Sequence, residues 1–253
     1  MIEIDGSDLS FDTEIGAKAF CKWYLRSSPS DIEFEDDEDV QAFRDRRLRR
    51  LQVQIDDLSK LNFASPITCP IKDITYSKIV PVTNSKPLDG NHSLRGSSRF
   101  NYKKMEELRT RAIYLGQDKE TCIAEKFHLD IQKKNYAQLI QSNPEDEFIM
   151  PDYEVVDYKV SITKILVLTS EASFKAIRVA DRVVKDEWFS INQEFDIPTS
   201  AQILARIVKN QGFNGIMYSS VRNQTKNNIV LFEENTGSLG FQEVNRYPLE
   251  ALW

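Results

Sequence analysis

The feature that most constrains this chain is a change of pattern at Pro66 and Pro70, in the stretch ASPITCPIKD. Proline fixes φ and lacks a backbone N–H, so a closely spaced pair punctuates regular structure and marks a boundary. Beyond it the chain divides into short β-type runs: ITYSKIVPV, RAIYLG, YEVVDYKVSITKILVLT, GIMYSS and IVLFEE. These are rich in β-branched and aromatic residues, which suit a pleated, half-buried surface. Helices are expected between them at 118 to 133, 170 to 186 and 199 to 211. Pro198 and Thr199 open the third of these, ahead of the run ILARIV, and Gly212 closes it. Strands and helices alternate without a regular β-α-β order. The expected architecture is therefore α+β, a mixed β-sheet core with surrounding helices, and not a doubly wound sheet.

Residues 1–70 read differently and are expected to form an acidic helical N-terminal region ahead of a main domain over 71–253. Glu14 to Leu25 suggests a short helix around Ala17, Phe20, Cys21 and Tyr24. From Val40 to Leu61, Val40, Phe43, Leu51, Ile55 and Leu58 recur at helical spacing, with Leu48 beside them and arginines opposite. Acidic residues before this helix and arginines within it suit its dipole. A packing or capping helix is the ordinary reading; a cover over the site or a docking element is the alternative.

Charge narrows the partners. Residues 1–70 hold 15 acidic and 9 basic side chains, a balance of −6 that equals the balance of the whole chain, so residues 71–253 are neutral overall. A neutral body behind an acidic front is a poor nucleic-acid binder, because such binding neutralises many phosphates. A small anionic ligand needs only two or three placed arginines. No apolar run is long enough to span a bilayer, and the acidic start MIEIDGSDLSFD is unlike a secretion signal, so no membrane association and a cytoplasmic location are expected. Cys21, Cys69 and Cys122 are far apart and odd in number, which argues for reduced, structural thiols. Cys122 and His128 on one helix would stand about 240° apart and could not share a metal. No metal site is expected.

Common catalytic signatures are missing: there is no Walker loop, dinucleotide fingerprint, nucleophile elbow or zinc helix. The tripeptides Asn91-His92-Ser93 and Asn223-Gln224-Thr225 match the glycosylation pattern by chance.

A set of ordered blocks is more informative. RGSSRFN precedes AIYLGQDKETCIAEKFH, and GFNGIMYSSVR precedes NNIVLF, with EVVDYKVSITKILVLTS between the pairs. Together these resemble the RES-domain family over roughly residues 74 to 245, so the main domain over 71–253 is identified as a RES domain. The matching positions are Arg99, Phe100, Asn101, Tyr114 and Glu125 in the first half, and Tyr218, Ser220, Arg222 and Asn228 in the second. The three letters of the name map to Arg99, Glu125 and Ser220. The chain departs from the pattern at Ser97 and Ser98, where glycines are common, at Ser219, where proline is frequent, and at Lys78, where arginine is often found.

The resemblance implies an ADP-ribosyltransferase-like fold and an enzyme that consumes NAD⁺ as a substrate, with no prosthetic group. In that family the enzyme is typically the toxin of a bacterial toxin–antitoxin pair, so a cognate antitoxin protein is the implied partner, and a homo-oligomer is compatible with the sequence. The implied catalytic set is Arg99, Tyr114, Glu125 and Ser220. The implied ligand-binding set is Arg95, Arg99, Phe100, Asn101, Tyr114, Tyr218, Arg222 and Asn228.

These residue types make chemical sense for NAD⁺. An arginine can clamp a diphosphate with two parallel charge-assisted hydrogen bonds, with Arg95 or Arg222 as helpers to Arg99. A tyrosine face such as Tyr114 can order the cationic nicotinamide ring, worth about 0.5–2 kcal/mol. A fixed carboxylate such as Glu125 gains most from the oxocarbenium-like state, in which positive charge develops on the ribose. Ile123, Phe127 and Ile131 make an apolar stripe on its helix, with Glu125 off the stripe between Cys122 and Leu129, sheltered from water. Ser220 would orient either the nicotinamide amide or Glu125. Taken singly, Arg99 also reads as a loop charge, Glu125 as a solvated helix residue, Tyr114 as a core aromatic and Ser220 as a turn former. The alternatives to hydrolysis or phosphorolysis of NAD⁺ are transfer of ADP-ribose to a protein and a degenerate module that only binds a nucleotide or partner.

Overall fold

The computed structural model describes residues 2–3, 10–11, 68–84, 86–127, 152–177, 179, 182–185, 188, 192, 198–236 and 240–249. The helices expected at 14–25 and 40–61, and with them Cys21, lie outside the described residues. Near the start, β1 (Ile2–Glu3) and β2 (Ser10–Phe11) form a short antiparallel pair.

The remaining strands are β3 (Thr68–Pro81), β4 (Ala112–Gly116), β5 (Tyr153–Leu168), β6 (Gly215–Ser219), β7 (Asn227–Phe232) and β8 (Phe241–Pro248). They form one mixed sheet in the order β3-β4-β7-β6-β5-β8, and β3 also pairs with β5. Strand β5 uses one edge for β3 and the other for β8 and β6, since Tyr158 faces both Tyr76 and Glu243 while Leu166 faces both Thr68 and Ile216. The single bridge Ser77↔Gly116 joins β3 to β4. These pairings close the sheet on itself and leave β8 as an added edge. Pairing is parallel between β5 and β6 and antiparallel elsewhere. The architecture is the expected α+β, a mixed sheet with several helices.

The long run YEVVDYKVSITKILVL is one strand whose two faces supply two cores, with the pairing irregular between Ile162 and Ile165. Val156, Tyr158, Val160, Ile162 and Ile165 pack inside the closed sheet with Ile71, Tyr76, Ile113, Leu115, Ile229 and Leu231. On the other face, Leu166 and Leu168 join a cluster that includes Phe100, Leu204, Val208, Ile216 and Phe232. Burying each such side chain contributes roughly 1.5–3 kcal/mol, so slipping the strand by one residue would turn this whole set around at prohibitive cost.

Helix α1 occupies 119–127 among the described residues; Leu129 and Ile131 lie outside them. Its Cys122 and Phe127 pack with Ile79 and Val155, and Ile123 lies against them. The expected helix over 170–186 is instead two short pieces, α2 (Glu171–Ala176) and α3 (Arg182–Lys185). Ile177 and Val179 turn into the core, 1% and 6% exposed, and their burial outweighs continuation of the helix. Helix α4 (Ser200–Asn210) carries a capping box between Thr199 and Gln202, and its end is followed by Gly212 at φ 74, a left-handed conformation that glycine adopts without steric cost. A short helix, α5 (Glu233–Thr236), follows β7.

Two strand features depart from the sequence reading. Strand β3 begins at Thr68 and runs through Pro70, with pairing irregular between Cys69 and Ile71, where proline is tolerated. Strand β8 was not expected from FQEVNRYP, because its side chains are mostly exposed and carry no apolar alternation. It is held by backbone pairing to β5 and by Arg246, which bonds both Glu154 and Glu243.

Candidate functional site

At the ends of β4, β6 and β7, side chains from distant parts of the chain surround Glu125 of α1. Gly116, the last residue of β4, lets α1 approach closely: a Cβ there would fall 2.6 Å from Cys122 Sγ. The Cys122 thiol donates to the Ser77 carbonyl at 3.0 Å, and burial pushes its pKa up to about 12, so it serves as a structural group. Three donors converge on one oxygen of Glu125. Its Oε1 accepts from Ser220 Oγ at 2.6 Å, from Asn228 Nδ2 at 2.9 Å and from the Val221 N–H at 3.2 Å. The Ser220 hydroxyl in turn accepts from the N–H groups of Asn223 at 2.9 Å and Arg222 at 3.2 Å. A hydroxyl has one proton to give and two lone pairs, so this pattern directs the Ser220 proton to the carboxylate.

The Arg99 turn lies on the neighbouring side. Ser98 and Asn101 bridge each other through their backbones, with Arg99 and Phe100 at the tip. Arg99 Nη1 donates to the Val184 carbonyl at 2.5 Å. The Tyr114 hydroxyl accepts from the Phe100 N–H at 3.1 Å and shares a hydrogen bond with Ser98 Oγ at 2.7 Å. Burial raises the Tyr114 phenol to about 12, against the bonds from Ser98 and Phe100 and the charge of Arg99.

Tyr218 connects the two halves. It pairs with Asn228 across β6 and β7, and its ring meets Phe100 edge-on at 4.9 Å. Burial drives its phenol well above the usual tyrosine range; Arg99 pulls it down, while Glu125 and Tyr114 push it further up.

The RES domain family matches residues 77–249. The chain belongs to the RES domain family. In fold the RES domain is similar to a chain in the crystal structure of the M. tuberculosis MbcT-MbcA toxin-antitoxin complex, at 15% identity and a TM-score of 0.50, over 79% of this chain and 91% of that one. Comparison with curated proteins gives no match.

Within the RES domain the sequence-derived residues fall into distinct places. Glu125, Ser220 and Asn228 meet through hydrogen bonds, Arg99 and Tyr114 stand together at the turn after Ser98, and Tyr218 links the two groups by pairing with Asn228 and packing on Phe100. Phe100 and Asn101 are both 0% exposed. Asn101 holds the turn from within: its Nδ2 donates to the Ser93 and Gly96 carbonyls at 2.6 and 2.9 Å, and its Oδ1 accepts from the Thr110 N–H at 2.7 Å. Arg95 ends the 3-10 turn Gly90–Arg95 and is exposed, and Arg222 is half-buried beside Ser220. Lys78 donates to the Pro87 carbonyl at 2.6 Å and holds the loop that leads to Arg95.

Sequence reasoning missed Gln202. It is fully buried, and its Nε2 donates to the carbonyls of Ser98 at 2.7 Å and Asn101 at 3.2 Å, fastening the Arg99 turn to α4. The spacing Thr199-x-x-Gln202 was a legible capping box, but its outward reach to Ser98 is a tertiary fact. Asp118, Thr121 and Asn223 were also missed; the last stood in a tripeptide set aside as a chance match.

Proposed function

We propose that this RES domain breaks the nicotinamide–ribose bond of NAD⁺, with water or phosphate as acceptor, as the toxin of a toxin–antitoxin pair. The observation that carries the reading is the convergence of Ser220, Asn228 and the Val221 N–H on one oxygen of Glu125. A carboxylate pinned in this way cannot turn from developing positive charge, and its field acts without reorganisation when the bond breaks. As the C–N bond lengthens, its electron pair returns to the pyridinium nitrogen and neutral nicotinamide leaves. The acceptor oxygen then bonds to the anomeric carbon and, when the acceptor is water, its proton passes to solvent.

Each residue has a part in this reading. Arg99 binds the diphosphate, oriented by its bond to the Val184 carbonyl. Tyr114, fixed through its hydroxyl, offers its ring to the pyridinium. Ser220 orients Glu125 and not the nicotinamide amide, because its proton is already given to the carboxylate. Phe100, Asn101, Tyr218 and Asn228 shape and hold these groups from behind. Arg95 and Arg222 supplement the positive field at the diphosphate. An antitoxin partner is proposed on the likeness to a structure that is itself a toxin-antitoxin complex.

The test is incubation of the purified chain with NAD⁺ alone, with and without phosphate, followed by chromatography. Nicotinamide with free ADP-ribose marks hydrolysis, and a phosphorylated ADP-ribose marks phosphorolysis. Nicotinamide released only when a protein acceptor becomes labelled would replace this reading with ADP-ribosyl transfer. Retained NAD⁺ binding without nicotinamide release under either condition would reduce the domain to a binding module.

A further inference from the structure

Two elements carry Glu125 and Ser220, and they come from parts of the chain 95 residues apart. Something must hold them in register to a fraction of an ångström, since a hydrogen bond of 2.6 Å tolerates little drift. A continuous set of contacts spans the two. The Asn223 side-chain amide donates to Thr121 Oγ1 at 3.2 Å, and Thr121 is fully buried on α1. Thr121 Oγ1 donates to Asp118 Oδ1 at 2.5 Å, and the Thr121 N–H reaches the same oxygen at 2.9 Å. The other oxygen of Asp118 pairs with Lys226 at 3.0 Å, and the Lys226 N–H returns to the Asn223 carbonyl at 2.9 Å. The loop is thereby closed on itself.

The direction of each bond is forced. Asp118, as a carboxylate, only accepts, so the single Thr121 proton goes to it and a Thr121 lone pair is left for Asn223. Asn223, held there, aims its backbone N–H at Ser220 Oγ at 2.9 Å, and the Ser220 proton goes to Glu125. Burial alone would raise the Asp118 carboxyl, but the bonds from Thr121 and the charge of Lys226 hold it below its usual value, so it stays ionised at neutral pH.

We infer that Asp118, Thr121 and Asn223 are positioning residues that clasp the turn after β6 to the start of α1 and so keep the Ser220 hydroxyl donating its hydrogen bond to the Glu125 carboxylate. None of them needs to touch substrate. The kinetic part of this inference rests on the NAD⁺-cleaving reading; the structural part does not.

The test uses the full chain with Thr121→Val, which keeps shape and loses the hydroxyl, and Thr121→Ser, which keeps the hydroxyl. Thr121→Val should lower kcat for nicotinamide release about tenfold, with KM for NAD⁺ within about twofold, and Thr121→Ser should recover most of the loss. Amide hydrogen exchange at Val221 and Asn223 should speed up about tenfold in Thr121→Val and not in Thr121→Ser, while strand amides in β7 keep their protection. Unchanged exchange in Thr121→Val would overturn the clasp, as would a kcat loss that Thr121→Ser fails to recover. A general loss of protection throughout the sheet would also overturn it, by showing that Thr121 serves only global stability. If the wild-type chain releases no nicotinamide, the NAD⁺ reading fails by itself, and the exchange measurement still decides the clasp.

Discussion

Replacing Glu125 with glutamine separates charge from shape at the centre of the site. Glutamine retains an Oε1 acceptor at the same reach, so the bonds from Ser220, Asn228 and Val221 can all persist. They lose only their charge assistance, which lowers each from roughly 1.5–3 to roughly 0.5–1.5 kcal/mol. Glu125 is half-buried, so solvent already screens part of that difference, and a net destabilisation of about 1–2 kcal/mol is expected. For a domain of this size that corresponds to a fall in Tm of roughly 2–8 °C, small enough to leave a folded protein at room temperature. The effect on chemistry is larger, because a neutral amide cannot stabilise a cationic ribose: kcat for nicotinamide release should fall on the order of a hundredfold or more while NAD⁺ binding is spared. Product chromatography, NAD⁺ titration and a thermal melt measure the three quantities separately. Full activity in a folded Glu125→Gln protein would refute the proposed mechanism, and loss of activity together with loss of fold would make the carboxylate structural.

Other perturbations probe neighbouring groups. Arg99→Ala should weaken NAD⁺ binding at least about tenfold, visible in titration calorimetry, with a modest fall in the thermal melt from loss of the bond to the Val184 carbonyl; unaltered affinity would remove arginine from the diphosphate. Asn101→Ala deletes bonds to three backbone groups at a fully buried position and should cost about 2–4 kcal/mol in urea unfolding; a loss under about 0.5 kcal/mol would show that the turn holds without it. Asp118 has a folded-state carboxyl lowered relative to the unfolded chain. Its stabilisation should therefore be complete above about pH 4 and vanish as pH falls through the lower folded value. Asp118→Asn should accordingly be less stable than wild type at pH 7 and converge with it in strong acid. A stability gap that persists unchanged into acid would contradict the assignment.

Much of the fold is written locally. β-Branched and aromatic runs specify β4, β5 and β6 to within a residue, and β7 with a shift of two residues from IVLFEE to Asn227–Phe232, because each satisfies its own alternation or continuous burial. The Thr199–Gln202 box and Gly212 bound α4 for the same reason: caps act within a single turn of chain. Arg99, Tyr114, Glu125 and Ser220 were legible as a set through the order of their blocks, although no one of them declares itself by type.

What the sequence could not decide is whatever depends on closure. Strand β8 has no regular apolar alternation, only Phe241 and Tyr247 near its ends packing on the core, and it is paired along an edge that β5 offers, and the 170–186 segment breaks where Ile177 and Val179 are buried. The same holds for the individual roles. Phe100 and Asn101 lie next to Arg99 in the chain, yet packing places them beneath the turn, and only the three-dimensional arrangement sets Ser220, Asn228 and Val221 on one oxygen of Glu125. Propensity and capping act over a few neighbouring residues. Burial and hydrogen-bond direction are settled between groups that meet only when the sheet closes.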